Sequence, residues 1–376
     1  MFYFNLFGME AVFDERKNTL TYGGETIYYS TSENNEHLRT LYFKFNDICN
    51  LRCSYCFQRN SKNTESRNLE IAEYKGLLNR IVNTSSFDRF ILFGGEPFIQ
   101  VNYNNILYLL ELCNEKKICA FSNGTFDDIY MKLLADNLNK IEMITITLDG
   151  DSVIHNRRRI YSNGKGTFQD IYNRLIRMQE MGIPFTVQIN IDTENIENLY
   201  SLLNQMSKDL LGVSCIILNR VLHEENGISE LDLLQYYNKL KKTYTKLNII
   251  PNSQCYKKLC SIITDNGIIY GRCGIENMLV FDFQSNLIYA CPQSEITRCG
   301  SFTKSNYCLD RDSILNYKSY SDKSFQECSD CDMRSLCMFG CNVEKDCKKM
   351  GCYEQNRECI QYILNHFVEF FDLEEE

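Results

Sequence analysis

The sequence predicts an α/β protein built on a parallel β-sheet, followed by a smaller cysteine-rich region. Apolar runs of β type alternate six times with amphipathic helical stretches, which predicts six βα units with helices on the outer face of the sheet. Polar and glycine residues follow the strands, where barrel-type active sites lie. From about Tyr256 cysteines become dense, so we place a boundary near 249–255 and predict three parts: 1–39, 40–250 and 251–376.

Each predicted element follows from the periodicity of apolar residues. Alternating or continuous apolar runs mark six strands, at Leu41–Phe45, Arg89–Phe93, Ile118–Phe121, Met143–Thr147, Phe185–Asn190 and Ser214–Leu218. Helical periodicity marks Leu69–Val82, Asn104–Asn114, Asp127–Asn137, Phe168–Met181, Ile196–Lys208 and Asn226–Lys246. A closing helical stretch covers Glu358–Phe371. N-terminal to the sheet, we expect residues 1–39 to form a β-hairpin with its turn at Tyr22-Gly23-Gly24.

Composition and charge argue against several classes of function. With 40 Lys and Arg against 49 Asp and Glu, the net charge of −9 disfavours nucleic acid or an anionic membrane as a partner. The sequence has no transmembrane run and no signal peptide, so we expect a cytoplasmic protein. Its 19 cysteines are then not a disulfide framework. Because only four histidines accompany them, iron–sulfur clusters explain them better than His-rich zinc or copper sites.

The most informative motif is a triplet of cysteines after the first strand of the predicted sheet. Cys49, Cys53 and Cys56 have the spacing C-x3-C-x2-C. A [4Fe-4S] cube has four irons, so three thiolates leave one iron open to a small molecule. The triplet, with Tyr55 before its third cysteine, resembles the signature of the radical S-adenosylmethionine (SAM) superfamily, whose fold is a partial (β/α)6 barrel. A zinc site is the alternative, but it needs a fourth ligand.

Motifs after the following strands resemble the SAM-binding elements of that superfamily. Gly94-Gly95-Glu96-Pro97 resembles the motif that contacts the SAM amino group in that superfamily. Ser122-Asn123-Gly124-Thr125 resembles the motif that lies near the SAM ribose and carboxylate. The stretch from Thr147 to Phe168 resembles S-L-D-G…H-x3-R…G-x-G-S/T-F, found in members with auxiliary clusters. The resemblance implies SAM contacts from Tyr55, Gly94, Gly95, Glu96, Ser122, Asn123, Asp149, Arg159 and Asn190. The alternative for Arg157, Arg158 and Arg159 is a solvated basic run.

The C-terminal cysteines resemble the SPASM domain, which holds two auxiliary [4Fe-4S] clusters. Its core spacing is matched by Cys328-x2-Cys331-x5-Cys337-x3-Cys341 and its opening pair by Cys273 and Cys291, with Asn286 replacing a glycine. Asn tolerates the left-handed backbone, so we expect this change to be harmless. The resemblance implies two ligand sets: Cys273, Cys291, Cys341 and Cys260, and Cys328, Cys331, Cys337 and Cys359. In the first set, Cys255 is the alternative to Cys260, or the fourth ligand is absent. In the second set, Cys347 or Cys352 is the alternative to Cys359. Two zinc sites are the alternative to both clusters.

Together these resemblances imply three [4Fe-4S] clusters and SAM as cofactors. A donor such as flavodoxin or ferredoxin would reduce the cluster at Cys49, Cys53 and Cys56, and SAM would be cleaved to methionine and a 5′-deoxyadenosyl radical. SPASM proteins mostly modify peptides, so the leading hypothesis is an oxidoreductase that cross-links a ribosomally made peptide, with a separate leader-binding protein as partner.

Three alternatives to this hypothesis remain open. Anaerobic sulfatase-maturing enzymes place a catalytic Asp directly after the cysteine aligned with Cys291, where this chain has Pro292. A peptide epimerase would use one of the spare cysteines, and an iron–sulfur electron-transfer protein would not cleave SAM. The sequence identifies no catalytic acid or base.

Overall fold

Strands and helices alternate over most of the chain. The computed structural model describes residues 1–6, 8–14, 17, 19–29, 40–56, 58, 69–83, 87–113, 116–221, 226–263, 278–292, 297–310, 312–313 and 352–371. The strands in these ranges are β1 Phe2–Leu6, β2 Met9–Asp14, β3 Thr19–Tyr22, β4 Glu25–Tyr29, β5 Thr40–Lys44, β6 Arg89–Phe93, β7 Lys117–Ser122, β8 Ile141–Thr147, β9 Phe185–Ile191, β10 Ile216–Arg220, β11 Ile249–Pro251, β12 Met278–Asp282, β13 Leu287–Tyr289, β14 Arg298–Phe302 and β15 Tyr307–Leu309.

The helices in the same ranges are mostly three turns long or less. They are α1 Lys75–Asn83, α2 Tyr103–Leu112, α3 Asp128–Ala135, α4 Ser152–Arg158, α5 Phe168–Glu180, α6 Leu199–Asp209, α7 Glu230–Thr243, α8 Gln254–Ile263, α9 Cys352–Asn365 and α10 Phe367–Phe370. Short 3₁₀ turns precede α1, α2 and α6, at Ile71–Tyr74, Gln100–Asn102 and Ile196–Asn198. None of the described helices is both long enough and apolar enough to cross a membrane.

Eleven of the described strands form one sheet, in the order β11-β10-β9-β8-β7-β6-β5-β12-β13-β14-β15. Strands β5 to β11 run parallel, and β12 joins β5 in parallel before β13 to β15 turn back antiparallel. The six predicted strands are β5 to β10, and the mixed fold with a partial parallel barrel is confirmed. Sequence patterns missed β11, which has three residues and ends in Pro251, a residue that an edge strand tolerates.

One face of the parallel strands is buried and the other is partly exposed. In β6, Phe90 and Leu92 have no exposed surface, whereas Ile91 is half-buried. In β7, Phe121 is 40% exposed. The helices bury their apolar sides, as α5 does with Leu175. The helices therefore cover the outer face, and the partly exposed side chains line the inside of the open barrel.

The sheet continues through the boundary predicted near 249–255. Strand β11 forms one edge of the sheet, whereas β12, from the cysteine-rich region, pairs with β5 at the other end of the parallel part. Between β12 and β13, Asn286 has a φ of +56°, the one positive φ among described residues other than glycine. Its tolerance of the left-handed conformation is thus confirmed, and Tyr74 Oη donates to its side-chain oxygen at 2.8 Å. The division into three parts stays a prediction.

The N-terminal residues form a separate antiparallel sheet of four strands, β1 to β4, which is larger than the hairpin expected. The predicted turn lies between β3 and β4, where Gly23 and Gly24 have φ values of +58° and +86°. Two consecutive positive φ angles fit the twist of a tight hairpin. Ring contact between Phe4 and Phe367, with centroids 5.4 Å apart, packs this sheet against the C-terminal helices.

A buried histidine fixes the segment that follows β8. The backbone N–H of Asp149 donates to Nδ1 of His155 at 3.2 Å, and His155 Nε2 lies 2.9 Å from Thr167 Oγ1. The Thr167 hydroxyl donates in turn to the carbonyl of Arg159 at 3.0 Å. Since Nδ1 must accept, the ring is neutral with its proton on Nε2. Burial, together with the charges of Arg159 and Arg158, holds the pKa of His155 well below its ordinary value.

We predict that the stability of the protein falls as the pH drops below about 6.5, the pKa of histidine in an unfolded chain. There the unfolded chain binds a proton at His155 that the folded protein cannot accept, so the free energy of unfolding falls by up to about 1.4 kcal/mol per pH unit. Urea unfolding between about pH 7.5 and 5 measures this slope. His155→Gln should reduce it, whereas Thr167→Val should weaken the fold at every pH and keep the slope. A wild-type slope in His155→Gln would contradict this account.

Candidate active site

Backbone pairing holds the loop that carries the cysteine triplet. The N–H of Arg52 donates to the carbonyl of Ile160 at 2.8 Å, and that of Ser54 to the carbonyl of Arg158 at 2.9 Å. Leu51, which is fully buried, forms an antiparallel bridge with Tyr161. The loop after β5 is thereby joined to the segment after α4. This pairing brings two sequence motifs together that lie a hundred residues apart.

The glycine pair of the Gly94–Pro97 motif packs against the start of the same loop. A Cβ atom on Gly95 would lie 2.0 Å from the carbonyl oxygen of Ile48, and one on Gly94 would lie 2.8 Å from that of Asn46. The N–H of Gly95 donates to the carbonyl of Asn46 at 3.2 Å, and the N–H of Glu96 donates to the carbonyl of Ile48 at 2.8 Å. The two glycines therefore let the end of β6 approach the backbone of the loop closely, and their contact with SAM stays a prediction.

The three thiols of the loop have the chemistry that an iron–sulfur cluster requires. Cys49, Cys53 and Cys56 are half-buried and unbonded to other cysteines. The N–H of Leu51 donates to Cys49 Sγ at 3.4 Å and Asn123 Nδ2 lies 3.9 Å from it, contacts that favour a thiolate. In the described part of the chain, no three Cys, His, Asp or Glu side chains are gathered around a single metal ion. A cluster binds each thiolate through a different iron, so its ligands stand further apart.

Glu96 meets the motif that follows β7. Its Oε1 accepts from Ser122 Oγ at 2.7 Å and from the N–H of Phe98 at 3.0 Å, and its Oε2 accepts from the N–H of Asn123 at 2.6 Å. Burial raises the pKa of Glu96, although the bonds from Asn123, Ser122 and Phe98 oppose the rise. Asn123 also donates to Asn50 Oδ1 at 2.8 Å. Three predicted SAM contacts are therefore adjacent to each other and to the cysteine loop.

Tyr55, Asp149, Arg159 and Asn190 form a second group. The Tyr55 hydroxyl donates to Asp149 Oδ2 and accepts from Arg159 Nη1 at 2.8 Å and from Asn190 Nδ2 at 3.1 Å. Asp149 Oδ1 accepts from the N–H of Asn190 at 2.9 Å. Burial raises the pKa of Tyr55 well above its ordinary value, and Asp149 and Cys53 raise it further, against Arg159. The tyrosine therefore stays protonated and can donate to the carboxylate.

Arg159 is the member of this group with a donor to spare. It is 6% exposed, and its Nε is buried with no hydrogen-bond partner among the described residues. Burial lowers the pKa of Arg159, but the charges of Cys53 and Asp149 outweigh it, so the pKa lies well above its ordinary value. A fixed positive charge with an unused N–H beside the cysteine loop can bind a carboxylate.

Sequence reasoning missed the neighbouring Arg158. It is 2% exposed, and its Nη1 lies 2.6 Å from both carboxylate oxygens of Asp192. Its guanidinium carbon lies 4.9 Å from the centroid of the Tyr55 ring, in a cation–π contact. The solvated-run alternative is wrong for Arg158 and Arg159 and holds only for the exposed Arg157. The adjacent H-x3-R motif was the one signal near it.

Three of the predicted auxiliary-cluster ligands lie in the described residues. Cys291 follows β13, and its N–H donates to Thr297 Oγ1 at 3.0 Å. Cys260 is half-buried on α8, and burial raises the pKa of its thiol. Cys359 is 2% exposed, on α9. Both ligand sets stay predictions, since the remaining members lie outside the described residues: Cys273, Cys328, Cys331, Cys337 and Cys341.

Comparisons with known proteins identify the domain that carries the cysteine triplet. Residues 43–206 match the Radical SAM superfamily. A cysteine-type anaerobic sulfatase-maturating enzyme of Clostridium perfringens is 23% identical over 360 residues, covering 86% of this chain and 92% of the relative. Two other relatives match in part. The chain spans 56% of an uncharacterized protein of Methanocaldococcus jannaschii, at 23% identity, and 31% of a GTP 3′,8-cyclase of Synechocystis, at 30% identity.

Solved structures share the fold over most of the chain. Native anSMEcpe with bound AdoMet and the Cp18Cys peptide superposes with a TM-score of 0.67 at 19% identity, covering 89% of this chain and 98% of that one. Streptococcus suis SuiB bound to the precursor peptide SuiA superposes with a TM-score of 0.64 at 16% identity, covering 82% and 72%. Residues 43–206 are thus a radical SAM domain, in a chain whose fold these two structures share and whose cysteine-rich C-terminal part is consistent with a SPASM domain.

Proposed function

We propose that this protein is a radical SAM oxidoreductase that cross-links a ribosomally made peptide. The observation that carries the proposal is the buried group of Tyr55, Asp149 and Arg159 directly beside Cys53. A peptide as substrate is supported by the two similar structures, which were solved with peptides bound. Both share only the fold with this chain, so a peptide substrate is part of the proposal.

Different residues of the site would bind the cluster and the different polar groups of SAM. When bound, a [4Fe-4S] cluster supplies a low-potential electron and one open iron. Cys49, Cys53 and Cys56 would hold that cluster. Glu96 Oε2 accepts one hydrogen bond in the structure and has room for a second, from the SAM ammonium. Arg159 would bind the carboxylate through its unpaired Nε.

The proposal includes further partners and cofactors. We propose three [4Fe-4S] clusters in all, of which the two auxiliary clusters would supply an acceptor for the electron that product formation releases. A donor such as flavodoxin or ferredoxin would reduce the first cluster in the cytoplasm, and a separate leader-binding protein would present the peptide. The acidic net charge of −9 supports the expectation that nucleic acid is not a partner.

Sulfatase maturation is the second candidate. It is favoured by the match to a sulfatase-maturating enzyme, because that match covers 92% of the relative. Pro292 argues against it, since the resemblance places a catalytic Asp at this position and proline has no group that transfers a proton. Cross-linking of a ribosomal peptide therefore remains the leading proposal.

Mass spectrometry of candidate peptides separates these functions. The reconstituted protein is incubated anaerobically in D₂O with SAM, a reductant and each short peptide encoded beside its gene, or with a cysteine-containing sulfatase peptide. We expect one gene-neighbour peptide to lose two hydrogens, as cross-linking requires. Gain of one deuterium would mean epimerisation. Replacement of the sulfatase peptide's thiol by a carbonyl oxygen would overturn the leading proposal in favour of the second.

We predict that Cys53→Ala abolishes the reductive cleavage of SAM. Two thiolates on this loop should not retain a cluster, so iron bound at the loop and 5′-deoxyadenosine formation should disappear together. Iron analysis and chromatography of 5′-deoxyadenosine measure both. Cys113→Ala is the control, because Cys113 directly follows α2, is fully buried, and burial raises the pKa of its thiol to about 12. Cleavage at the wild-type rate by Cys53→Ala would refute the assignment of the triplet.

A further inference from the structure

Four parallel strands end in a row of polar side chains. Asn190 pairs with Asn219 across β9 and β10, and Pro251 pairs with Leu218, which places Asn252 beside Asn219. Asp149 stands at the same level, because Thr147 pairs with Gln188 two residues earlier. The row therefore runs from the Tyr55 group to the edge of the sheet. It extends over three strand spacings, or about 14 Å.

The side chains of this row form one continuous chain of hydrogen bonds. Asn252 Nδ2 donates to Asn219 Oδ1 at 2.5 Å, and Asn219 Nδ2 donates to Asn190 Oδ1 at 3.0 Å. Asn190 Nδ2 donates to the Tyr55 hydroxyl at 3.1 Å. At the far end, Lys257 Nζ donates to Asn252 Oδ1. Every bond points the same way, toward Asp149.

The two ends of the chain dictate this direction. Lys257 has an ammonium group that can only donate, and the Asp149 carboxylate can only accept. Asn252 must therefore turn its oxygen toward Lys257 and its nitrogen toward Asn219, and each following amide must do the same. The orientation of the amides thus follows from the charges at the two ends of the chain of hydrogen bonds.

The hydrogen bonds leave some donors and acceptors of the row unused. Each asparagine gives its oxygen and one N–H to the chain, and its second N–H has no further partner among the bonds described. Asn190 Oδ1 accepts a second bond, from Gln188 at 3.0 Å, so this acceptor is saturated. Asn219 and Asn252 are half-buried, on the inner side of the barrel edge. The row consequently offers the second N–H of each asparagine, together with one remaining lone pair on each of Asn219 Oδ1 and Asn252 Oδ1.

The far end of the row is fixed to the scaffold. Glu230, at the start of α7, accepts from the hydroxyl of Ser253 and from the N–H of Cys255 at 3.1 Å. Arg220 Nη2 lies 3.9 Å from its other oxygen. Because Ser253 directly follows Asn252, these contacts hold the outer amide in place.

We infer that Asn219 and Asn252 are a substrate subsite that binds carbonyl oxygens of the peptide backbone. This inference rests on the proposed function and adds which residues select the substrate. An extended peptide lying along the row would give carbonyl oxygens to the second N–H groups, starting beside the Tyr55 group and leading out at β11. A peptide backbone has both carbonyl and N–H groups, so it can also use the remaining lone pairs of the two asparagine oxygens.

The test measures KM for the peptide that the wild-type protein modifies. Asn252→Asp keeps the shape of the side chain and removes both of its N–H donors. Asn219→Asp makes the same change on β10, the neighbouring strand. We expect each to raise the peptide's KM about fivefold, the effect of about one hydrogen bond, with a smaller change in kcat. Asn248→Asp is the matched control, since Asn248 is exposed at the opposite end of β11 and donates to the Ser214 carbonyl at 3.0 Å. It should keep the wild-type KM.

Peptides with one backbone amide replaced by an ester make the test independent of folding. An ester carbonyl is a weaker acceptor, so at one position the replacement should raise KM in the wild type and have no further effect in Asn252→Asp. Unchanged KM in both aspartate variants, or a rise in the KM for SAM alone, would overturn the inference and leave the proposed function standing. Failure of the wild type to modify any peptide would overturn the proposed function and this inference with it.

Discussion

The site depends on the contact between the cysteine loop and two glycines. The carbonyls of Asn46 and Ile48 lie where any Cβ on Gly94 or Gly95 would have to be, and they accept the N–H groups of Gly95 and Glu96. This contact places the end of β6 against the loop after β5 and sets where Glu96 stands. A side chain at Gly95 would force the loop outward, and the cysteines with it.

Buried charge fixes the other side of the loop. Arg158 is held by Asp192 and packs on the ring of Tyr55, while Arg159 bonds its hydroxyl. Removing one partner of such a buried pair costs about 3–5 kcal/mol, because the other charge is left uncompensated. The same kind of pair ties the loop to the cysteine-rich region: Lys44 Nζ lies 2.7 Å from Asp47 Oδ1 and 3.4 Å from Asp282 Oδ2 in β12. The position of the loop is therefore set by charged residues of β5, β12 and α4 and of the segments that follow α4 and β9.

The sequence was informative where local pattern determines structure. Alternating apolar residues predicted β5 to β10, and the motifs after these strands predicted Glu96, Asp149 and Arg159, because parallel strands end at one edge of a sheet. Short elements were missed, since three residues such as Ile249–Pro251 carry no periodicity. Arg158 was missed because its burial depends on Asp192, whose position only the tertiary fold reveals. The contact of Gly95 with Ile48 was also not predicted, because a sequence does not show which part of the chain's own backbone a glycine will approach.

The most direct test of this account is a crystal structure of the anaerobically reconstituted protein with SAM. The account predicts a cluster on Cys49, Cys53 and Cys56, with the SAM ammonium at Glu96 and its carboxylate within hydrogen-bond distance of Arg159 Nε. It also predicts that Tyr55 still donates to Asp149, since that bond is formed before SAM arrives. A cluster on other cysteines, or SAM bound away from Glu96 and Arg159, would contradict it.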